Sequence, residues 1–105
     1  MRGIIGDRAN EILVSAASAW EITTKFRIGK LPGAQAVAAN VFQCVATQGF
    51  APLPISLLHA ERAGRLPGPH RDPFDRVLAA QCQSEGLPIV SNDAVYDGYG
   101  VTRLW

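Results

Sequence analysis

The stretch EILVSAASAWEITTKFRIG, residues 11–29, changes character in its middle. Its first part carries a compact apolar run, Ile12 to Val14, with the length of one buried strand ending near Ser15. Its second part reads as a helix. Ser18 is a good N-cap, Glu21 three positions later completes a capping box, and Gly29 supplies a stop. A strand feeding directly into a helix is the repeating unit of alternating α/β folds.

The alternation continues outward from that stretch. LPG at 31–33 breaks the chain, and residues 34–49 read as a second helix closed by Gly49. FAPLPI, residues 50–55, is a short extended piece whose prolines suit an edge. Ser56 caps the helical LLHAERAGRL, and residues 67–69 form a loop. Asp72 caps a further helix with Pro73 at its first position, running to about Glu85 and closed by Gly86. LPIVS, residues 87–91, reads as a buried strand, NDAVYDGYG as a turn with one helical turn, and VTRLW as a last strand. RGIIGDRA, at 2–9, reads as the tail of a helix. These elements predict one α/β domain over residues 1–105: a three-layer sandwich around a mostly parallel sheet with right-handed crossovers.

Composition excludes several classes. With 48% hydrophobic and 18% charged residues the 105-residue chain suits a globular domain. No apolar run approaches the roughly 20 residues that cross a bilayer, so no membrane association is expected. MRGIIGDRAN lacks the apolar region of a signal peptide. The two cysteines, Cys44 and Cys82, sit in helical apolar patterns and are expected as free thiols in a reducing cytoplasm. No Cys/His metal spacing is present. A net charge of +1 is not that of a non-specific nucleic-acid coat. A nucleic acid would have to meet a local patch, and Arg62, Arg65, Arg71 and Arg76 cluster loosely in sequence; a solvated charged face accounts for them equally well.

In an α/β sheet, ligands bind at the carboxyl edge of the strands, where helices begin. Glu21 follows the strand ILVS, Asp72 and Asp75 open the helix from Pro73, and Asp93 follows LPIVS by two residues. Three distant segments thus deliver carboxylates to one edge. Such carboxylates repel, and a divalent ion with oxygen ligands, Mg²⁺ or Mn²⁺, relieves the conflict. Each acid alone also has a local use. Glu21 fits a capping box, Asp72 an N-cap, Asp75 the helix dipole, Asp93 a turn cap and Asp97 a turn. His59 and His70 suit structural or solvated roles, and Trp20 and Trp105 core or interface anchors.

VSAASAWEI, LPISLLHAERAGRLPGPHRDPFDRVLAAQ and GLPIVSNDAVYDGYGV closely resemble the PIN-domain family, in its branch of VapC-type toxins from toxin–antitoxin systems. The resemblance implies an α/β fold and a ribonuclease dependent on Mg²⁺ or Mn²⁺ that a cognate antitoxin inhibits. By position it implies metal-binding and catalytic roles for Glu21, Asp75 and Asp93, with Asp72 and the Ser91 hydroxyl as auxiliaries. Arg71 and Arg76 beside the acids are the RNA-contacting candidates, and the family suggests a homodimer. The family also begins with a strand bearing a metal-binding aspartate. Asp7 has no such strand before it, so the first strand and helix are expected to be missing, the site incomplete and the ribonuclease impaired.

Two readings follow. One is a toxin-type ribonuclease. The other is a non-catalytic PIN module that binds an antitoxin or itself through apolar surface. A phosphatase-like α/β enzyme would use similar acids, but no DxDx motif at a strand end supports it.

Overall fold

The computed structural model describes residues 4–6, 12–68, 72–91 and 93–104. In chain order the elements are β1 (Ile4–Gly6), β2 (Ile12–Ser15), α1 (Ala16–Arg27), α2 (Gln35–Ala39), α3 (Val41–Thr47), β3 (Ala51–Leu53), α4 (Leu57–Arg65), α5 (Pro73–Glu85), β4 (Ile89–Val90) and a 3₁₀ helix at Ala94–Tyr99. The strands form one sheet in the order β3-β2-β1-β4.

Strand direction follows from connection length. β2 and β3 are parallel, with Val14 opposite Pro52, and three helices lie between them in sequence. Parallel neighbours need such a long crossover, whereas antiparallel ones do not. Only five residues separate β1 from β2, and these two strands pair antiparallel, Ile5 opposite Leu13. β1 also pairs antiparallel with β4, Ile4 opposite Val90. β2, β3 and β4 therefore share one direction, and β1 opposes them from within the sheet. Residues 4–6 are thus a strand and not the expected helix tail, because partners on both sides outweigh local preference. β1 lies between β2 and β4.

Capping chemistry decides where the helices begin. α1 starts three residues earlier than its sequence suggests. Ser15 has extended backbone (φ −68°, ψ 145°), and its Oγ accepts the Ala17 N–H at 3.0 Å. Ser18 is buried inside the helix, so Glu21 lies in the second turn and closes no capping box. The predicted single helix over 34–49 is two helices. Asn40 leaves the helical region (φ −158°, ψ 74°) and its side chain accepts the Gln43 N–H, capping α3. At α4, the Ser56 Oγ accepts the His59 N–H, while the Ser56 N–H donates to His59 Nδ1. The expected last strand is a single bridge, Ile89 opposite Arg103.

α5 forms as its sequence reads. Asp72 Oδ1 accepts the Phe74 N–H at 2.9 Å and the Asp75 N–H at 3.3 Å, Pro73 holds the first position, and Gly86 ends the helix in the left-handed region (φ 66°). Asp72→Ala is expected to cost about 1 kcal/mol in a denaturant titration, as N-cap losses do. A change indistinguishable from zero would count against the cap.

The core gathers Ala17, Leu78, Ala79, Cys82, Ile89, Tyr96 and Val101. Both cysteines are free thiols, Cys82 buried and Cys44 half-buried. Burial pushes the Cys82 thiol up to about 12. At pH 8 its thiolate is then roughly a thousandfold scarcer than that of an ordinary exposed cysteine. Iodoacetamide should label Cys44 first and reach Cys82 only on unfolding; equal labelling rates in the folded protein would contradict this.

Candidate active site

Because β2 and β4 run in the same direction, the residues that leave them, Ser15 and Ser91, lie at one edge of the sheet. The candidate acids are set by the turns that begin there.

Asp75 occupies the third position of α5 and is fully buried. Its Oδ1 accepts the Tyr96 hydroxyl at 2.8 Å. Tyr96 is also fully buried and lies in the 3₁₀ helix that Asp93 opens. Asp93 Oδ1 accepts the Val95 N–H at 3.0 Å, and the Asp93 N–H donates to Ser91 Oγ at 3.1 Å. Ser91 therefore shapes the turn that presents Asp93. Glu21 is 5% exposed on α1, with the Lys25 Nζ 2.5 Å from its Oε2. The residues preceding the two acids touch: the Trp20 ring meets Phe74 edge-on, centroids 4.7 Å apart and planes at 76°. Trp20, though half exposed, thus ties α1 to the start of α5.

The structure therefore joins the three acid-bearing segments, two through Tyr96 and two through Trp20 and Phe74. It does not close their carboxylates around an ion. Among the described residues no three His, Cys, Asp or Glu side chains gather so as to hold a metal. As arranged, these residues do not fit the expected divalent ion.

The arginines have protein partners. Arg76, expected at RNA, donates through Nε and Nη2 to the Ala63 carbonyl at 3.1 and 2.9 Å, and through Nη2 to the Leu66 carbonyl, closing α4. Arg62 donates to Gln83 Oε1 at 3.3 Å, and Arg65 pairs with Glu61 in solvent. Arg71 and His70 lie outside the described residues. Asp97 does more than turn work. Its two oxygens accept Nε and Nη2 of Arg103 at 2.8 and 2.9 Å. That hydrogen-bonded guanidinium holds its carboxyl below the usual carboxylate range.

One polar network escaped the sequence. Gln81, fully buried on α5, accepts the Ser15 hydroxyl through Oε1. Its Nε2 donates to the Pro54 carbonyl at 3.2 Å and lies 3.4 Å from His59 Nδ1. Since His59 Nδ1 accepts the Ser56 N–H, the ring proton belongs on Nε2, which meets Glu85 Oε2 at 3.0 Å. Ser15, the cap of α1, is thus tied through Gln81 to the cap of α4.

The model of one family, the PIN domain, matches residues 2–100. The chain belongs to the PIN-domain family. This PIN domain is also similar to "Ribonuclease VapC16" of Mycobacterium tuberculosis (strain ATCC 25618 / H37Rv), at 44% identity over 64 residues. That alignment covers 61% of this chain and 44% of the relative, so it spans less than half the relative's length. Tyr96 and Lys25, which touch the candidate acids Asp75 and Glu21 in this PIN domain, were missed by sequence reading. A tyrosine in a turn and a lysine on a helix carry no local signal of their partners.

Proposed function

We propose that this PIN domain is a ribonuclease of the VapC type, the toxin of a toxin–antitoxin pair, with Glu21, Asp75 and Asp93 as its catalytic acids. The observation that carries the reading is Asp75. A carboxylate taken wholly out of water is costly unless paired, and a structural role at this position would be met more cheaply by a neutral residue. Asp75 instead receives the Tyr96 hydroxyl at the strand-end edge, beside the segments of Glu21 and Asp93. In this reading Tyr96 orients Asp75, Ser91 sets the turn of Asp93, and Asp72 acts through the backbone it caps. Arg71 is the proposed RNA contact; Arg76 serves it only as far as its hold on α4 allows.

Mg²⁺ or Mn²⁺ is the proposed cofactor, and carrying it requires the acids to draw together from the arrangement described. The proposed setting is a cytoplasmic homodimer held by an antitoxin. Among the described residues no helix is long and apolar enough to cross a membrane. The test is incubation of the purified protein with RNA, with Mn²⁺ or Mg²⁺ and with a chelator. Cutting that the chelator stops is expected. RNA left intact in every condition, or cut equally in chelator, would overturn the reading.

A second reading, a non-catalytic module that binds an antitoxin or a second copy, is supported by apolar surface. Phe42, Leu57 and Leu58 are largely exposed. A groove of about 330 Å³, lined by Val14, Val41, Phe42, Val45, Pro52 and Leu53 among others, is almost wholly apolar. Intact RNA together with retained antitoxin binding would favour it.

A further inference from the structure

Helix α1 carries a stripe that faces water. Trp20, Thr23 and Arg27 recur at helical intervals and are exposed, and Lys30 is exposed in the turn that follows. Trp20 is 54% exposed, unusual for a side chain that is mostly buried in folded proteins. Among the described exposed large apolar residues it alone adjoins a candidate acid, Glu21. Its edge-on contact with Phe74 fixes the ring without covering it. A ring already held in place loses little freedom when a flat partner stacks on it.

The stripe is also positively charged. Glu21 is paired with Lys25, so that acid is offset locally. Among the described residues neither Arg27 nor Lys30 has a carboxylate partner. The Lys30 N–H donates to the Lys25 carbonyl at 2.8 Å, which folds the turn back onto the end of the helix and keeps Lys30 near Arg27. At 1.5 Å of rise per residue, Arg27 lies about 10 Å along the axis from Trp20, the length of about three stacked nucleotides.

An aromatic face followed by cations is the pairing that holds an unpaired strand: a base stacks on the ring and the phosphates meet the charges. A duplex keeps its base faces inside its own stack, so such a ring favours unpaired RNA. A protein partner could also cover a tryptophan, but charged residues are depleted at the centre of protein interfaces. Here two cations without acids flank the ring, and they complement phosphate.

We propose that Trp20 is a stacking platform for one unpaired base of a single-stranded RNA, whose phosphates run along α1 towards Arg27 and Lys30. This names the substrate class of the proposed ribonuclease and rests on that reading. Its test involves neither cutting nor metal, so the two can fail separately.

The test is fluorescence anisotropy of a short labelled RNA strand without self-complementarity, titrated with the 105-residue chain in chelator. Trp20→Ala should weaken binding roughly tenfold, the usual loss of one stacked base, and leave its salt dependence unchanged. Trp20→Phe should recover most of the loss, whereas Trp20→Leu, which can pack on Phe74 but has no aromatic face, should not. Arg27→Gln combined with Lys30→Gln should also weaken binding and flatten its logarithmic salt slope by about 0.7 per lost phosphate contact. The same strand paired with its complement should bind the unaltered chain less tightly. Unchanged binding by Trp20→Ala overturns the proposal and leaves the ring to a protein partner. Equal recovery by Trp20→Leu and Trp20→Phe, a duplex bound as tightly as the single strand, or no binding by the unaltered chain overturns it too. Should Trp20→Ala fail to fold, Trp105→Phe decides, because it leaves Trp20 as the single indole. The strand should quench its emission, and an abasic strand of equal length should not. Equal quenching by both, or none by either, overturns the proposal.

Discussion

Gln81→Ala is expected to lower the stability of the domain by about 4 kcal/mol, far beyond an ordinary substitution. Two costs add. Truncating a fully buried side chain leaves a cavity that close-packed neighbours fill only in part. It also strips partners: the buried Ser15 hydroxyl and the Pro54 carbonyl lose a hydrogen bond each, and His59 Nδ1 loses a polar neighbour. An orphaned buried polar group costs roughly 1–3 kcal/mol. Small domains have only about 5–15 kcal/mol in total, so the variant should show a large fall in its urea midpoint. Gln81→Met separates the two costs, since it nearly preserves volume but supplies no hydrogen bonds. It should recover part of the loss and no more. A loss below about 1 kcal/mol for the alanine variant would show that the network contributes little.

Asp75→Asn should reverse the pattern, leaving the fold intact while RNA cutting falls by at least about a hundredfold, the lower range for a group that serves in acid–base or charge chemistry. Asparagine has nearly the same shape, and its carbonyl oxygen can still accept the Tyr96 hydroxyl, while the charge and one acceptor oxygen are lost. The comparison with Asp72 sharpens the test. Asp72→Ala should lose stability yet keep its rate per folded molecule, because Asp72 acts on the Phe74 and Asp75 backbone. Together the two variants ask whether HRDPFDR is a helix start, a site, or both. Asp75→Asn cutting RNA at the unaltered rate would remove Asp75 from the proposed chemistry.

The parts of the fold legible in the sequence are those set by neighbouring residues. α5 was readable at both ends because Asp72, Pro73 and Gly86 act on their own backbone. The cap of α1 was misplaced because Ser15 and Ser18 are equally good caps in isolation. Only the extended backbone leaving β2 selects Ser15. The break at Asn40 lies within an unbroken helical composition and was likewise hidden. β1 offered no periodic signal in three residues, and its β4 partner is more than eighty residues away. The acids were visible because strand ends attract sites. Their partners Tyr96 and Lys25 became visible only once helices were placed in space.

The ends of the sheet bear on how copies of this domain behave at high concentration. An open strand edge is a template on which further chains polymerise. On one side, β3 presents only Ala51–Leu53, its middle residue and the residue that follows are prolines, and neither has an N–H to donate. On the other, the Ile89 N–H donates to the Thr102 carbonyl at 2.9 Å and its carbonyl accepts the Leu104 N–H at 2.9 Å, so β4 is already covered by its own chain. Neither flank offers a free row of backbone donors and acceptors, so concentrated solutions of the folded domain gain a barrier to edge-to-edge strand addition that does not depend on surface charge.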